Sequence, residues 1–184
     1  VGATSSAAFG LPTNATYNPS VSMTQISCAS VGNCTAIGQY NGNRGTTNGF
    51  AISMVSGTWG TPTAFVLPSN AQWSSTTTLN ELACTSAGNC TAVGIFTTAA
   101  GKQLPFAISS ASGVWQTTQA LTLPTGASIR SRTMFYGFQS LSCPSAGNCV
   151  AGGQYRDAQG KYQGFLVEKV NGTWSTATAL SLPV

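Results

Sequence analysis

The chain has 184 residues, with seven basic and three acidic side chains, no histidine and a formal charge of +4. At 42% hydrophobic and only 5% charged, it is too apolar for charge-driven disorder, and its length suits one ordinary domain. The bases Arg44, Lys102, Arg130, Arg132, Arg156, Lys161 and Lys169 are scattered, apart from the close pair at 130 and 132; this argues against nucleic acid as a partner.

A polar surface built from Ser, Thr, Asn and Gln suits an extracellular β protein, and no apolar run reaches the ~20 residues that span a bilayer. Val1 reads as the start of a mature or trimmed chain, so the case for secretion rests on the cysteines and the composition.

In chain order, the first element is a terminal segment, 1–12, where Phe9 and Leu11 alternate toward Pro12. Repeat 1 (13–68) opens with a strand running into Cys28, with Ile26 two residues before it, and the loop "ASVGN". The next strand leaves Cys34 with Ala36, Gly38 and Tyr40 on one face and Thr35, Ile37 and Gln39 on the other. A third strand lies in "GFAISMV", and a fourth follows Trp59 and ends in Phe65, Leu67 and Pro68. Repeat 2 (69–124) and repeat 3 (125–184) run through the same elements.

Measured from Cys34, Cys90 and Cys149, like residues fall at like offsets: Gly38, Gly94 and Gly153; Tyr40, Phe96 and Tyr155; Phe50, Phe106 and Phe165; Trp59, Trp115 and Trp174; Pro68, Pro124 and Pro183. Only the link into the third unit differs, carrying three extra residues within "GASIRSRTMFYGFQS". Pro12 precedes Cys28 by the same distance as Pro68 precedes Cys84, so the chain holds four copies of the last segment of a unit and three of the rest.

No segment sustains apolar residues at helical spacing. The expected fold is all-β: a single repeat domain of three four-stranded blade-like repeats plus one extra terminal strand, β-propeller-like, with a β-trefoil or another threefold β assembly as the alternative. Three units are fewer than the roughly four to eight of a closed propeller, so self-association or membership of a larger array is expected.

Cys28 and Cys34, Cys84 and Cys90, and Cys143 and Cys149 are each separated by five residues, a poor fit to zinc knuckles or to a two-residue redox motif. Cysteines facing across a hairpin lie at disulfide distance, and the intervening Gly and Asn suit a tight turn. Three hairpin staples are therefore expected, and with them an oxidising compartment. The run "LSCPSAGNCVAGGQYRDAQGKYQGFLVEKVNGTWSTATALSLP" resembles a Cys-paired repeat of secreted bacterial proteins, notably actinobacterial ones. That resemblance implies β-propeller arrays and a secreted, surface location, and it brings no assigned function.

Catalytic groups are scarce. Without histidine there is no Ser-His-Asp or Cys-His centre, and stapled cysteines leave no thiolate. Glu81, Asp157 and Glu168 sit at different offsets in their units, which makes a glycosidase pair or a calcium cage improbable. "SGTW", "SGVW" and "NGTW" keep the end of a sialidase box without its aspartate. The chain thus reads as a non-enzyme with no metal or cofactor.

Aromatic surface remains. Trp59, Trp115 and Trp174 are either sugar-stacking residues or plugs between units. The irregular link brings Arg130, Arg132, Phe135, Tyr136 and Phe138 together as a candidate binding loop. Asn14, Asn33, Asn89 and Asn171 each open an Asn-x-Ser/Thr sequon and are candidates for host-dependent glycosylation. Two functions follow: an extracellular or cell-surface module binding a glycan or surface polymer, or a structural subunit of a filament or oligomer joined by strand addition. Stability is expected to depend only weakly on pH between about 2 and 7, since few groups can take up protons there.

Overall fold

The computed structural model describes residues 10–17, 20–42, 45–71, 77–128 and 135–181, with the backbone alone at Phe135 and Tyr136. Among these residues the regular structure is entirely β. The first sheet comprises β1 (Val21–Ser30), β2 (Asn33–Asn41), β3 (Thr47–Val55), β4 (Thr58–Trp59) and β5 (Thr63–Ala64). The second comprises β6 (Thr78–Ser86), β7 (Asn89–Thr97), β8 (Gln103–Ala111), β9 (Val114–Trp115) and β10 (Gln119–Ala120). The third comprises β11 (Phe135–Ser145), β12 (Asn148–Arg156), β13 (Tyr162–Val170), β14 (Thr173–Trp174) and β15 (Thr178–Ala179).

Each sheet is an antiparallel meander in sequence order. The three sheets are separate and stack face to face, with β1 packed on β6 and β6 on β11. That is a blade-like arrangement and not the shared barrel of a trefoil. The predicted terminal strand falls largely on residues outside those described.

The fourth strand of each unit proves to be two short pieces. After the tryptophan, the Gly60, Gln116 and Ser175 N–H groups still donate to the third long strand, at Ser53, Ser109 and Glu168 O. The chain then leaves the edge. In the second and third units it bonds to the preceding unit, through Thr118 Oγ1 to Val66 O (2.6 Å) and Ala177 N to Thr122 O (2.9 Å). Pro62 holds the corresponding place in the first unit and has no N–H to give.

All three predicted disulfides are present, each joining cysteines directly opposed or adjacent to the hairpin turn of the first two strands. Such bonds are made and kept under oxidising conditions. The glycine after the first cysteine of each pair, Gly32, Gly88 and Gly147, takes a positive φ of 75°, 74° and 81°. A second turn, Ser56–Gly57, Ser112–Gly113 or Asn171–Gly172, has positive φ at both residues, the geometry of a tight two-residue hairpin.

The two turns of a unit are clamped together by an asparagine. Asn33 Oδ1 accepts from Ser56 N–H (3.2 Å) while its Nδ2 donates to Ser30 Oγ (2.9 Å). Asn89 does the same with Ser112 and Ser86, and Asn148 with Asn171 and Ser145. The repeated Gly-Asn-Cys triplet is thus one device: turn, clamp and staple.

Inside each sheet Gly38, Gly94 or Gly153 lets the Phe50, Phe106 or Phe165 ring lie across the second strand; a Cβ there would meet that ring and a first-strand carbonyl. The ring stands edge-on to Tyr40, Phe96 or Tyr155, with centroids 5.8, 6.2 and 6.3 Å apart, a favourable aromatic geometry. The second strand of the middle unit, β7, is sandwiched between neighbours and is buried on both faces. Ile37, Ala51 and Phe65 of the first unit pack on Leu79, Leu82, Ala92 and Phe106 of the second; Val93, Ala107 and Leu121 of the second pack on Phe138, Ala151 and Phe165 of the third.

Candidate binding surfaces

Every unit has a leading face, met by the unit before it, and a trailing face, laid on the unit after it. The leading face of the first unit has no neighbour within the described residues. Met23 is 54% exposed where its equivalents Leu79 and Phe138 are 2% and 3% exposed. Ile26 is exposed where Leu82 is buried. Together with Phe50, Ile52 and Trp59, flanked by Gly10 and Leu11, these residues line an open apolar groove of about 730 Å³. A wider hollow of about 1040 Å³ lies beside it, between the segment 10–14 and the segment 57–64.

At the other end, the trailing face of the third unit exposes Val150, Leu166 and Leu180. These stand where Thr35, Ala51 and Phe65 stand in the first unit. Gly152 pairs with Leu166 across β12 and β13, as Ile37 pairs with Ala51 and Val93 with Ala107.

The predicted aromatic residues divide along the same line. Trp115 packs on Phe65 with centroids 4.9 Å apart, and Trp174 packs on the core between the second and third units. Only Trp59 of the three faces the open groove. Phe138 is closed off in the core, its ring 5.5 Å from that of Phe165. Phe135 pairs through its backbone with Tyr155 at the start of β11. Arg130 and Arg132 lie outside the described residues.

Of the sequon asparagines, Asn33 and Asn89 use Nδ2, the atom a glycan would occupy, in the turn clamp. Asn14 Oδ1 accepts a 2.6 Å bond from the Tyr40 hydroxyl, and Asn171 is the first residue of an exposed turn. The carboxylates are not brought together as a reacting pair. Glu81 accepts from Gln25 Nε2 (3.0 Å) at the junction of the first two units, and burial raises its pKa more than this bond lowers it. Asp157 clasps a turn, accepting from the backbone N–H groups of Gln159 and Lys161 and from the Gln163 amide; the Gln163 bond first, then the Lys161 N–H, holds its pKa down. Among the described residues no group of three or more His, Cys, Asp or Glu could hold a metal, and no helix is long and apolar enough to cross a membrane.

The residue that sequence reading missed is Lys169, nine-tenths buried between the second and third units. Its Nζ donates to Ser109 Oγ across the junction at 2.7 Å and lies 5.9 Å from the centre of the Trp174 ring. The equivalent residues are Met54 and Ser110, so the signal was another departure from the repeat.

Compared with known proteins, the chain matches no family model, and no curated relative shows significant similarity. Its class is set by architecture: an all-β, disulfide-stapled repeat protein with three stacked sheets.

Proposed function

We propose that this chain is a non-catalytic extracellular subunit that works by association, through the two blade faces its own repeats leave uncovered. The observation that carries the reading is the contrast between Met23, 54% exposed, and its equivalents Leu79 and Phe138, at 2% and 3%. The occupant is a second copy, its third unit laid on the first unit of its neighbour.

Residue matching favours this occupant. At the first internal junction Thr35 Oγ1 meets the Cys90 sulfur, next to Ser110; at the second, Ser109 meets Lys169. Between copies Met54 would face the cross-strand pair Val150 and Glu168, which stands where Thr35–Ser53 and Thr91–Ser109 stand at the internal junctions. The contact is polar within the chain, whereas two of its three side chains, Met54 and Val150, are apolar across copies. Head-to-tail contacts of this kind generate rings or filaments. At such a junction two segments of fourth-strand type compete for one edge, and exchange of the surplus one is where strand addition enters. The staples, the uncharged polar composition and the resemblance to secreted Cys-paired repeats support an extracellular setting.

Light scattering on size-fractionated protein over a wide concentration range tests this reading. A mass that is a multiple of the monomer is expected; a monomer at every concentration overturns it.

A second reading rests on Trp59 beside Ile26 and Phe50 in the groove: an aromatic floor of this kind stacks a sugar ring of a glycan or surface polymer. Titration of soluble oligosaccharides against wild type and Trp59→Phe, followed by tryptophan fluorescence, separates the two. Saccharide quenching that depends on Trp59 in a monomeric protein supports the polymer reading and excludes the copy.

A further inference from the structure

The cleft between the second and third units has a chemistry unlike the rest of the molecule. It encloses about 250 Å³ and is lined by Thr85, Thr91, Ser109 and Gln116 on one side and by Lys169 on the other. Lys169 is only 7% exposed, and all three side-chain carboxylates of the chain lie within the described residues without bonding to it. Burying an ammonium without a counter-charge is costly; desolvation accordingly lowers the Lys169 pKa.

Counting donors shows what the cleft lacks. Ser109 Oγ accepts from Lys169 at 2.7 Å and shares one hydrogen with Thr91 Oγ1, 3.0 Å away. Two hydroxyls hold two hydrogens, so one remains to be given elsewhere. The ammonium keeps two more N–H groups beyond the bond to Ser109. The cleft is therefore rich in donors and carries a net positive charge with no acceptor of matching charge.

The first internal junction has the same hydroxyl pair, Thr35 and Ser53 at 3.0 Å, but no buried charge. There Ser110 takes the lysine's place and is satisfied locally, accepting from Cys90 N–H (3.0 Å) and donating to Gly88 O (2.9 Å).

We infer that the Lys169 cleft is a binding site for a single oxyanion group, a carboxylate or sulfate, held by the ammonium and by the Thr91–Ser109 hydroxyl pair. Charge-assisted bonds of this type are the strong ones. The volume falls below the roughly 300–1000 Å³ of pockets that enclose drug-sized ligands, so it admits one anionic group and its nearest atoms while the remainder of any larger ligand stays outside. The site is independent of how the chain associates, because both walls belong to one copy.

The test is calorimetric titration of the full chain with sodium acetate, sodium sulfate and sodium glucuronate at constant ionic strength, with sodium chloride as the control. Binding of at least one oxyanion above the chloride control is expected, with a rise in melting temperature. Lys169→Met should abolish it, Lys169→Arg should retain it, and Ser109→Ala should weaken it severalfold. Glucuronate binding without acetate or sulfate binding would assign the group to an acidic sugar; acetate or sulfate alone would assign it to a free anion. If no oxyanion exceeds chloride, or if Lys169→Met binds as well as wild type while remaining folded, the inference is overturned. Should Lys169→Met fail to fold, Ser109→Ala decides: unchanged affinity sinks the site.

Discussion

Gly152 and Leu166 face each other across β12 and β13, and Leu166 Cδ2 lies 3.1 Å from where a Cβ on Gly152 would sit. In the other two units the large residue is on the second strand and alanine on the third, as Ile37 with Ala51 and Val93 with Ala107. The third unit moves the bulk from one strand to the other and keeps this pair apolar, beside the exposed Glu168, although nothing among the described residues covers it. Lysine on either open face should therefore disrupt association without harming the fold, since Ile26 and Leu166 are both exposed in a single copy. Ile26→Lys alone and Leu166→Lys alone should each be largely monomeric, and a one-to-one mixture should recover a heterodimer, because one good face of each kind remains. Two copies would bring six units, within the roughly four to eight of closed propellers. A mass that grows without limit as concentration rises would favour an open filament over that ring.

The clamp made by Asn89 links Ser112 N–H to Ser86 Oγ through one amide. Asn89→Ala removes both bonds and leaves a turn N–H without its partner, at a cost of about 1–2 kcal/mol. In a chain of this size that lowers the melting temperature by about 2–8 °C. Calorimetry on the single variant checks it, and an unchanged midpoint would show that water replaces the clamp without loss.

Gly94 separates packing from backbone strain. A Cβ at this position would meet the Thr78 carbonyl and the Phe106 ring, whereas one on Gly101 would meet nothing within 4 Å. Gly94→Ala should cost about 1–3 kcal/mol or more through overpacking. Gly101→Ala, at φ +74°, should cost about 1–2 kcal/mol, the left-handed strain alone. Denaturant midpoints in the reverse order would contradict the packing assigned to Gly94.

Stability should change little between about pH 5 and 8, because no histidine titrates there. Asp157 has a lowered pKa in the fold, so its contribution is complete above about pH 4 and fades as the pH drops through the folded value. Glu81 has a raised one, so its contribution runs the other way and grows as it takes up its proton. The two partly cancel in acid. Lys169 has a lowered pKa, and stability should therefore rise as the pH climbs toward about 10. Melting curves of wild type and Lys169→Met across this range test the signs: the alkaline rise should vanish in the variant.

The three repeats, the staples and the all-β class were legible in the sequence alone. Those rest on local chemistry: cysteines at fixed spacing across a turn, glycines at positive φ, and alternation along short strands, all of which repeat and so can be counted. Equivalent residues cannot reveal their different fates in this way. Trp59, Trp115 and Trp174 are the same letter at the same offset, and only stacking of the sheets leaves the first beside an open groove while the other two pack into cores. Phe138, grouped by sequence with a binding loop, is drawn into the interior because the third unit needs a large residue where the second has Leu79. The predicted fourth strand is divided in every unit, and in the second and third its middle turns aside to bond the preceding unit, a contact that no local pattern encodes. Lys169 was only one of seven scattered bases until the fold carried it across a junction to Ser109. Local spacing fixes what each unit is; which of its faces is covered, and by what, depends on neighbours distant in the chain.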